Sequence, residues 1–462
     1  MDVPPTHPSI LYNPLLPYFC GIYIFILIKI RDSIHVYIVS YIIFIQQNIP
    51  FSGYSIQKSK AMNIRISSDV YFVGANDFTS YLYEALWPIP FGISYNSYIV
   101  KGEKIAIVDL CKSEDFVQNI KHVIGNQQPQ YIVLNHMEAA LSGTLNILRT
   151  LFPHITIVGN RKTLEMVNGF YGINTNVMEI SDGETLNLGG KILKFIMTPM
   201  IHWPETMMTY LIENNILFSG GAFGCFGALN GGVIDADIDA DNYIPEIYRY
   251  YSNIISKYGR PVQNALNRIK LLDIDYICPA HGPVWRKKID HILSIYNRLS
   301  LYIGEPGVVI AYASMYGNTA IIAKAIASRL ARNGIKEIRL HNVSHSHISY
   351  VLSDIFKYNG LIIGSPTYSG TIFPLIETLL SAIKNRTLKN RVVASFGSYS
   401  WDSQAIKKTN QFLSNCNLLT SNIPSIESKF APSATTITQC FSLADKVTHH
   451  ITKTNHTKQN IT

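Results

Sequence analysis

Short apolar runs recur along the chain, and most of them stop at a loop of small or polar residues. Residues 308–312 run into Ala313-Ser314-Met315-Tyr316-Gly317-Asn318-Thr319, after which residues 320–330 carry apolar positions at helical spacing. Residues 361–364 lead to Ser365-Pro366-Thr367-Tyr368-Ser369-Gly370, and residues 392–396 lead to Gly397-Ser398-Tyr399-Ser400-Trp401. Upstream, residues 64–73, 92–100 and 104–109 alternate as short strands do. Residues 131–134 form a buried strand that stops at Asn135-His136-Met137-Glu138, with a helical stretch at 143–151. Strands at 195–197, 216–219 and 276–278 stop before His202, Gly221 and His281, and helical spacing covers 243–258, 261–270 and 289–302. Residues 304–307, Gly-Glu-Pro-Gly, read as a short linker. Strands that repeatedly end in functional loops predict an α/β chain of layered sheets and helices, with loops converging on the carboxyl edges.

The loop after residue 312 has the chemistry of an anion cradle. A strand feeding a hydroxyl- and Gly-rich turn into a helix start aims free N–H groups and the positive helix end at one spot. Ser314 and Thr319 add hydroxyl donors, and Met315, Tyr316, Gly317 and Asn318 complete the turn. No Lys follows the glycine, so this is not a nucleoside-triphosphate loop, and a phosphate held by neutral donors suits a flavin mononucleotide. The later loops add Pro366, Thr367, Tyr368, Ser369 and Gly370, then Gly397, Ser398, Tyr399 and Trp401. Their aromatic side chains offer flat faces for an isoalloxazine ring. In an open α/β sheet such loops gather at the switch point beyond the strand ends. The segment resembles flavodoxin, and the Ser-x-Tyr-Gly-Asn-Thr loop carries that resemblance.

In the first half, His136 and Glu138 lie two apart, so on an extended backbone they face one side. Imidazole plus carboxylate suits iron, manganese or zinc, and His202 and His281, at other strand ends, are candidates to complete the set. Taken singly, each histidine reads better as a satisfied polar residue at a strand end than as a ligand; as a set of four at strand-end loops, a metal ancestry is the better reading.

The chain of 462 residues has room for two full cores. Its formal charge of +8 is spread out with no basic stripe, which excludes a nucleic-acid reader. Six cysteines lie far apart without a C-x-x-C pair, which excludes a disulfide framework and a rubredoxin-type iron module and fits a reducing, cytoplasmic setting. Residues 1–61 stand apart. Apolar runs at 19–28 and 36–45 are each too short to span a bilayer and are separated by Lys29-Ile30-Arg31-Asp32. They read either as an interfacial anchor or as sequence upstream of a start at Met62, the second being preferred. After residue 430 the chain turns polar, with a short helix expected at 442–450 and a disordered tail beyond it.

Residues 135–143, 202–210, 217–224 and 278–285 together resemble the flavodiiron proteins, over roughly residues 62–430. The resemblance implies a metallo-β-lactamase-like αββα domain (62–304) followed by a flavodoxin-like doubly wound parallel sheet (305–430) with FMN. It further implies a non-haem iron pair that reduces oxygen or nitric oxide, an external donor such as rubredoxin or a reductase, and a head-to-tail homodimer. His136, Glu138, His202 and His281 match the family's metal ligands. Ala140, Leu141 and Gly221 stand where the family has Asp, His and a bridging Asp. Without the bridge a second cation is poorly held, so a single metal on His136, Glu138 and His202, or an empty pocket, is expected in preference to a pair. The chain is thus expected to be an FMN-dependent oxidoreductase. The alternative is an electron-transfer flavoprotein whose first domain serves as a docking scaffold. Metallo-hydrolase chemistry is disfavoured, because the His-x-His-x-Asp-His pattern is absent.

Overall fold

The computed structural model describes residues 64–113, 115–416, 418 and 423–459, together with two strands nearer the start, Ile24–Ile30 and Ser33–Val39. The chain divides into two compact units, Met1–Lys60 and Ala61–Thr462. In the first, the two strands pair antiparallel from Ile24 opposite Val39 to Ile30 opposite Ser33. Most of residues 1–61 lies outside the described residues, and with it the choice between anchor and upstream sequence. No helix among the described residues is long and apolar enough to cross a membrane.

The second unit begins with two facing sheets. One has seven strands, in spatial order Val177–Glu179, Thr156–Gly159, Tyr131–Val133, Ile105–Val108, Tyr98–Lys101, Val70–Phe72 and Ile64–Ser67. The other has five: Thr185–Asn187, Ile192–Met197, Met207–Leu211, Ile216–Gly220 and Tyr276–Pro279. Their inner faces are apolar and share one core, in which the rings of Tyr98 and Phe218 meet across the sheets at 5.3 Å. The functional loops follow three of these strands, Tyr131–Val133, Ile192–Met197 and Tyr276–Pro279, as the apolar pattern predicts.

The third sheet is parallel, ordered Ile338–Asn342, Glu305–Tyr312, Tyr358–Tyr368, Val392–Tyr399 and Ile426–Lys429. The chain starts in the second position, moves outward, and returns across to the third, so the winding reverses between Glu305–Tyr312 and Tyr358–Tyr368. Those two strands, buried on both faces, read as continuous apolar runs for that reason.

Two expectations need correction. Residues 304–307 are not a free linker: Glu305 already pairs with Tyr358 in the parallel sheet. Its carboxylate accepts the Tyr248 hydroxyl at 2.5 Å and the Arg298 guanidinium at 2.9 Å. The helix expected at 442–450 is present but much longer, running over Ala434–Gln459 into residues expected as a tail. Its polar composition hides a stripe at Cys440, Leu443, Ala444, Val447 and Ile451, all buried against the helix Asn318–Arg332 and the parallel sheet. Arg329 fastens its outer face by a forked contact to Asp445 at 2.7 and 2.9 Å.

Candidate functional site

Two sites stand out, one at each sheet edge. At the parallel sheet, the strand Glu305–Tyr312 ends in a turn closed by Ser314, whose Oγ accepts from the Gly317 and Ala320 N–H groups at 3.2 and 3.3 Å. Gly317 sits at φ 94°, in the left-handed region that only glycine enters without strain, and it caps the helix Asn318–Arg332. The remaining first-turn N–H groups belong to Asn318 and Thr319, both at the cleft wall. Thr319 Oγ1 meets Ser398 Oγ at 2.8 Å and so ties the first loop to the third.

The resulting cleft, of 350 Å³, is bounded by Met315, Tyr316, Asn318 and Thr319, by residues 366–370, and by Ser398, Tyr399 and Trp401. Three of the residues singled out from the sequence support the cleft without lining it. Ser314 and Gly317 shape the turn. Gly397 lies beneath, where a Cβ would come within 2.7 Å of Ile406 and of the Ser365 carbonyl. Ser400, which belongs to the quoted loop but was not singled out as a contact, also lines the cleft, and so does Asp402, one residue beyond the loop's last aromatic. Tyr316 and Trp401 are 89% and 91% exposed, an unusual state for large aromatic rings beside a cleft and one that fits a flat ligand. Thr367 Oγ1 accepts from the Gln404 and Ala405 N–H groups and starts the helix Ala405–Asn415. Its hydroxyl therefore holds the third loop against the second. A wider cavity of 520 Å³ near Arg391 has no comparable chemistry, because that guanidinium is spent on the carbonyls of Ile355, Phe356 and Tyr302.

The second site is buried between the two facing sheets. Asn135 is bolted down: its N–H and Nδ2 donate to Asp109 at 2.8 and 2.9 Å, and Thr209 donates to its side-chain oxygen. Burial pushes the Asp109 carboxyl up to about 6, against the pull of the Asn135 hydrogen bonds. This fixed residue aims the two that follow. His136 Nδ1 lies 2.8 Å from Glu205 Oε1, which also accepts the Met137 N–H at 3.0 Å. With Nδ1 donating to Glu205, Nε2 is the ring's inward-facing nitrogen, and it has no hydrogen-bond partner. His202 Nε2 is likewise buried and unpartnered. Burial, and then the neighbouring histidines, hold the His202 imidazole well below its usual value and hence neutral. Donor atoms of His136, Glu138 and His202 lie within 4.8 Å of one another. Two orphaned imidazole nitrogens beside a carboxylate fit one divalent cation, leaving further positions open.

His281 is placed differently. Its Nδ1 donates to the Ser94 carbonyl at 2.7 Å, and its Nε2 faces the Tyr83 hydroxyl at 3.4 Å. Tyr83, which no motif marks, donates to Glu138 Oε2 at 2.5 Å. A tight hairpin, Leu82–Tyr83 against Trp87–Pro88, carries it. The turn places Glu84 and Ala85 at φ 51° and 55°, each at a cost on the order of 1 kcal/mol for a residue with a Cβ. Opposite, Gly221 offers no ligand, and a Cβ there would meet the Tyr250 hydroxyl at 3.3 Å and the His202 ring at 3.9 Å. Ala140 and Leu141 follow Glu138 in the short helix Ala139–Ser142 and supply no donor atom. A pair of cations does not fit this set, since the second would have one imidazole and no bridging carboxylate.

Comparison with known proteins places both sites in one family. Residues 93–282 match the ODP family β-lactamase model, and residues 310–442 match the flavodoxin model. The anaerobic nitric oxide reductase flavorubredoxin of Escherichia coli O1:K1 is 30% identical over 394 residues, covering 82% of this chain and 80% of that protein. The crystal structure of the flavodiiron protein from Giardia intestinalis superposes with a TM-score of 0.80 at 25% identity, over 85% of this chain and 98% of that one. The rubredoxin oxygen:oxidoreductase of Desulfovibrio gigas shares the fold at the same TM-score and 24% identity, covering 85% and 99%. The β-lactamase-like sheets, the parallel flavin-type sheet and their order along the chain agree with these relatives, and the chain belongs to the flavodiiron proteins.

Proposed function

We propose that the chain is an FMN-dependent oxidoreductase of the flavodiiron type that delivers electrons to oxygen or nitric oxide and holds one divalent cation where its relatives' name implies two. The observation that carries the flavin half is the convergence of three strand-end loops on one cleft at the switch point of the parallel sheet. FMN supplies one- and two-electron transfer when bound. The chain supplies the rest. Ser314 and Gly317 hold the turn so that the helix start at Asn318 and Thr319 takes the phosphate. Tyr316, Tyr368, Tyr399 and Trp401 provide flat faces that keep water from the ring.

For the cation, His136, Glu138 and His202 are the ligands, with Glu205 orienting His136. Bound there, a redox-active ion such as iron would offer open positions for a diatomic ligand. The E. coli relative's name specifies nitric oxide and the Desulfovibrio protein's specifies oxygen, which sets the two candidate substrates. Reducing equivalents come from outside the chain, from a small donor protein such as rubredoxin or from a reductase.

A second copy of the chain is the natural partner. Phe78, Tyr81 and Phe91 expose most of their surface beside the hairpin that carries Tyr83, and Tyr316 and Trp401 do so at the flavin cleft. A head-to-tail homodimer would cover both patches and bring one chain's flavin to the other's pocket. The test uses purified holoprotein, reduced without air and mixed with oxygen or nitric oxide. Bound flavin identified as FMN, with oxidation far faster than free FMN, supports the proposal. An absence of flavin, or oxidation only at the free-flavin rate, refutes it.

A further inference from the structure

Among the groups around the buried pocket, Tyr83 is the one whose position is built at a cost and whose role the family resemblance leaves unassigned. Its ring is 2% exposed and packs edge-on against Phe226 and His281, with centroids at 5.5 and 5.6 Å. The hairpin turn that places it holds two consecutive residues with side chains, Glu84 and Ala85, in the left-handed region, closed by a hydrogen bond from Leu86 N–H to the Tyr83 carbonyl. Strain of that kind persists where surrounding structure fixes a residue for a purpose. The hydroxyl it delivers lies between Glu138 Oε2 and His281 Nε2, at 2.5 and 3.4 Å. A second cation on this side would have to sit before His281 Nε2, and the phenol oxygen fills that space: its one proton goes to Glu138 Oε2, and it adds no charge.

We infer that Tyr83 makes this a one-cation pocket: its hydroxyl stands in for the second metal, engaging Glu138 Oε2 and blocking His281 Nε2. The inference rests on the single-cation reading of His136, Glu138 and His202. Tyr83 is then a positioning residue: it holds Glu138 through Oε2, the oxygen that also lies 3.8 Å from His136 Nε2, and His281 packs against the phenol. The loss of the acid at position 221 follows the same logic, because a bridging carboxylate with one cation to bridge would be a buried, poorly paired charge.

The experiment titrates cobalt(II) into metal-free, FMN-loaded protein, reading stoichiometry by elemental analysis and coordination by the cobalt visible spectrum. Wild type should take one cobalt per chain. Gly221→Asp alone should still take one, because the phenol holds the second position, whereas Tyr83→Ala with Gly221→Asp should take two. Tyr83→Phe, nearly isosteric and checked for folding by its bound flavin, should keep one cobalt with a shifted spectrum, because Glu138 Oε2 loses the phenol's hydrogen bond and becomes a stronger donor to the metal. No cobalt in wild type, or two, overturns the single-cation reading and the inference with it. One cobalt in wild type leaves that reading standing. The role of Tyr83 then fails if Gly221→Asp alone takes two, if the double variant takes one, or if the Tyr83→Phe spectrum is unchanged.

Discussion

Glu205 works on His136 from the side of the ring away from the cation pocket. Burial is the largest single influence and acts to raise its carboxyl, but the hydrogen bond and charge of His136 and the backbone N–H bonds together outweigh it and hold the group below the usual carboxylate range, so it is anionic. For His136, burial opposes the charge while the Glu205 bond and Glu138 favour it, with a net upward shift. An anionic partner on Nδ1 fixes the ring and strengthens Nε2 as a ligand. Partners of this kind are worth roughly 10–100-fold in metal affinity. Glu205→Ala should therefore weaken cobalt(II) binding by about that factor, while Glu205→Gln, which keeps an acceptor and loses the charge, should fall between. Competition against a chelator measures both; equal affinity in all three proteins would remove Glu205 from this role. At the residue scale, the sequence made His136, Glu138, His202 and His281 legible because each sits at the end of an apolar run, where side-chain direction follows from the strand's alternation. Tyr83 and Glu205 escaped for the opposite reason. Tyr83 reaches the pocket through a hairpin without Gly or Asn at its left-handed positions, so no turn signal marks it. Glu205 lies in a loop whose direction no periodicity reveals.

The helix Ala434–Gln459 extends at both ends beyond the stretch 442–450 expected from the sequence. Average composition over residues 431–462 is polar, and that average conceals buried positions at Cys440, Leu443, Val447 and Ile451, one every three or four residues. Four narrow contacts spread over three turns need the partner surface of Asn318–Arg332 to become a stripe. In isolation such a helix has little reason to form. Leu443 is 2% exposed in this seam, and Leu443→Ala should cost about 2–5 kcal/mol in the range of buried leucine truncations. Because the helix braces the one that presents the phosphate turn, the loss should lower the denaturant midpoint of FMN release. An unchanged midpoint would mean that the helix is peripheral to the flavin cleft. The strands were easier to see. The three central strands of the parallel sheet are buried on both faces, so only their ends moved: the run at 361–364 extends to Tyr358–Tyr368 because Gly, Ser and Pro can continue a strand whose neighbours already fix its register. The two edge strands, Ile338–Asn342 and Ile426–Lys429, are half exposed and polar at alternate positions, and no apolar run marks them.

At the scale of the whole second unit, the β-lactamase-like and flavodoxin-like halves are locked by a few buried polar anchors. Arg249 is 2% exposed, with its guanidinium between the rings of Phe226 at 4.4 Å and Tyr350 at 4.8 Å, and it pairs with Glu246. Asn253 Nδ2 donates to the Ser349 carbonyl at 3.1 Å. Arg386 donates to the Ser252 carbonyl at 2.7 Å and lies over the Trp87 ring at 5.6 Å. Trp87 belongs to the same hairpin as Tyr83, so one two-stranded ribbon touches the cation pocket at one strand and the flavodoxin-like half at the other. No apolar pattern announces such a junction, since it is made by arginines reaching carbonyls far away in sequence. Arg386→Ala removes a charged donor and the cation–π cover of Trp87. It should cost about 2–3 kcal/mol, the scale of hydrogen bonds from a charged group. The expected signature is a loss of cooperativity: tryptophan fluorescence and FMN release should coincide during denaturation of the wild type and separate into two transitions in the variant. If they remain coincident in the variant at the wild-type midpoint, the halves are coupled by some other contact and the hairpin does not bridge them.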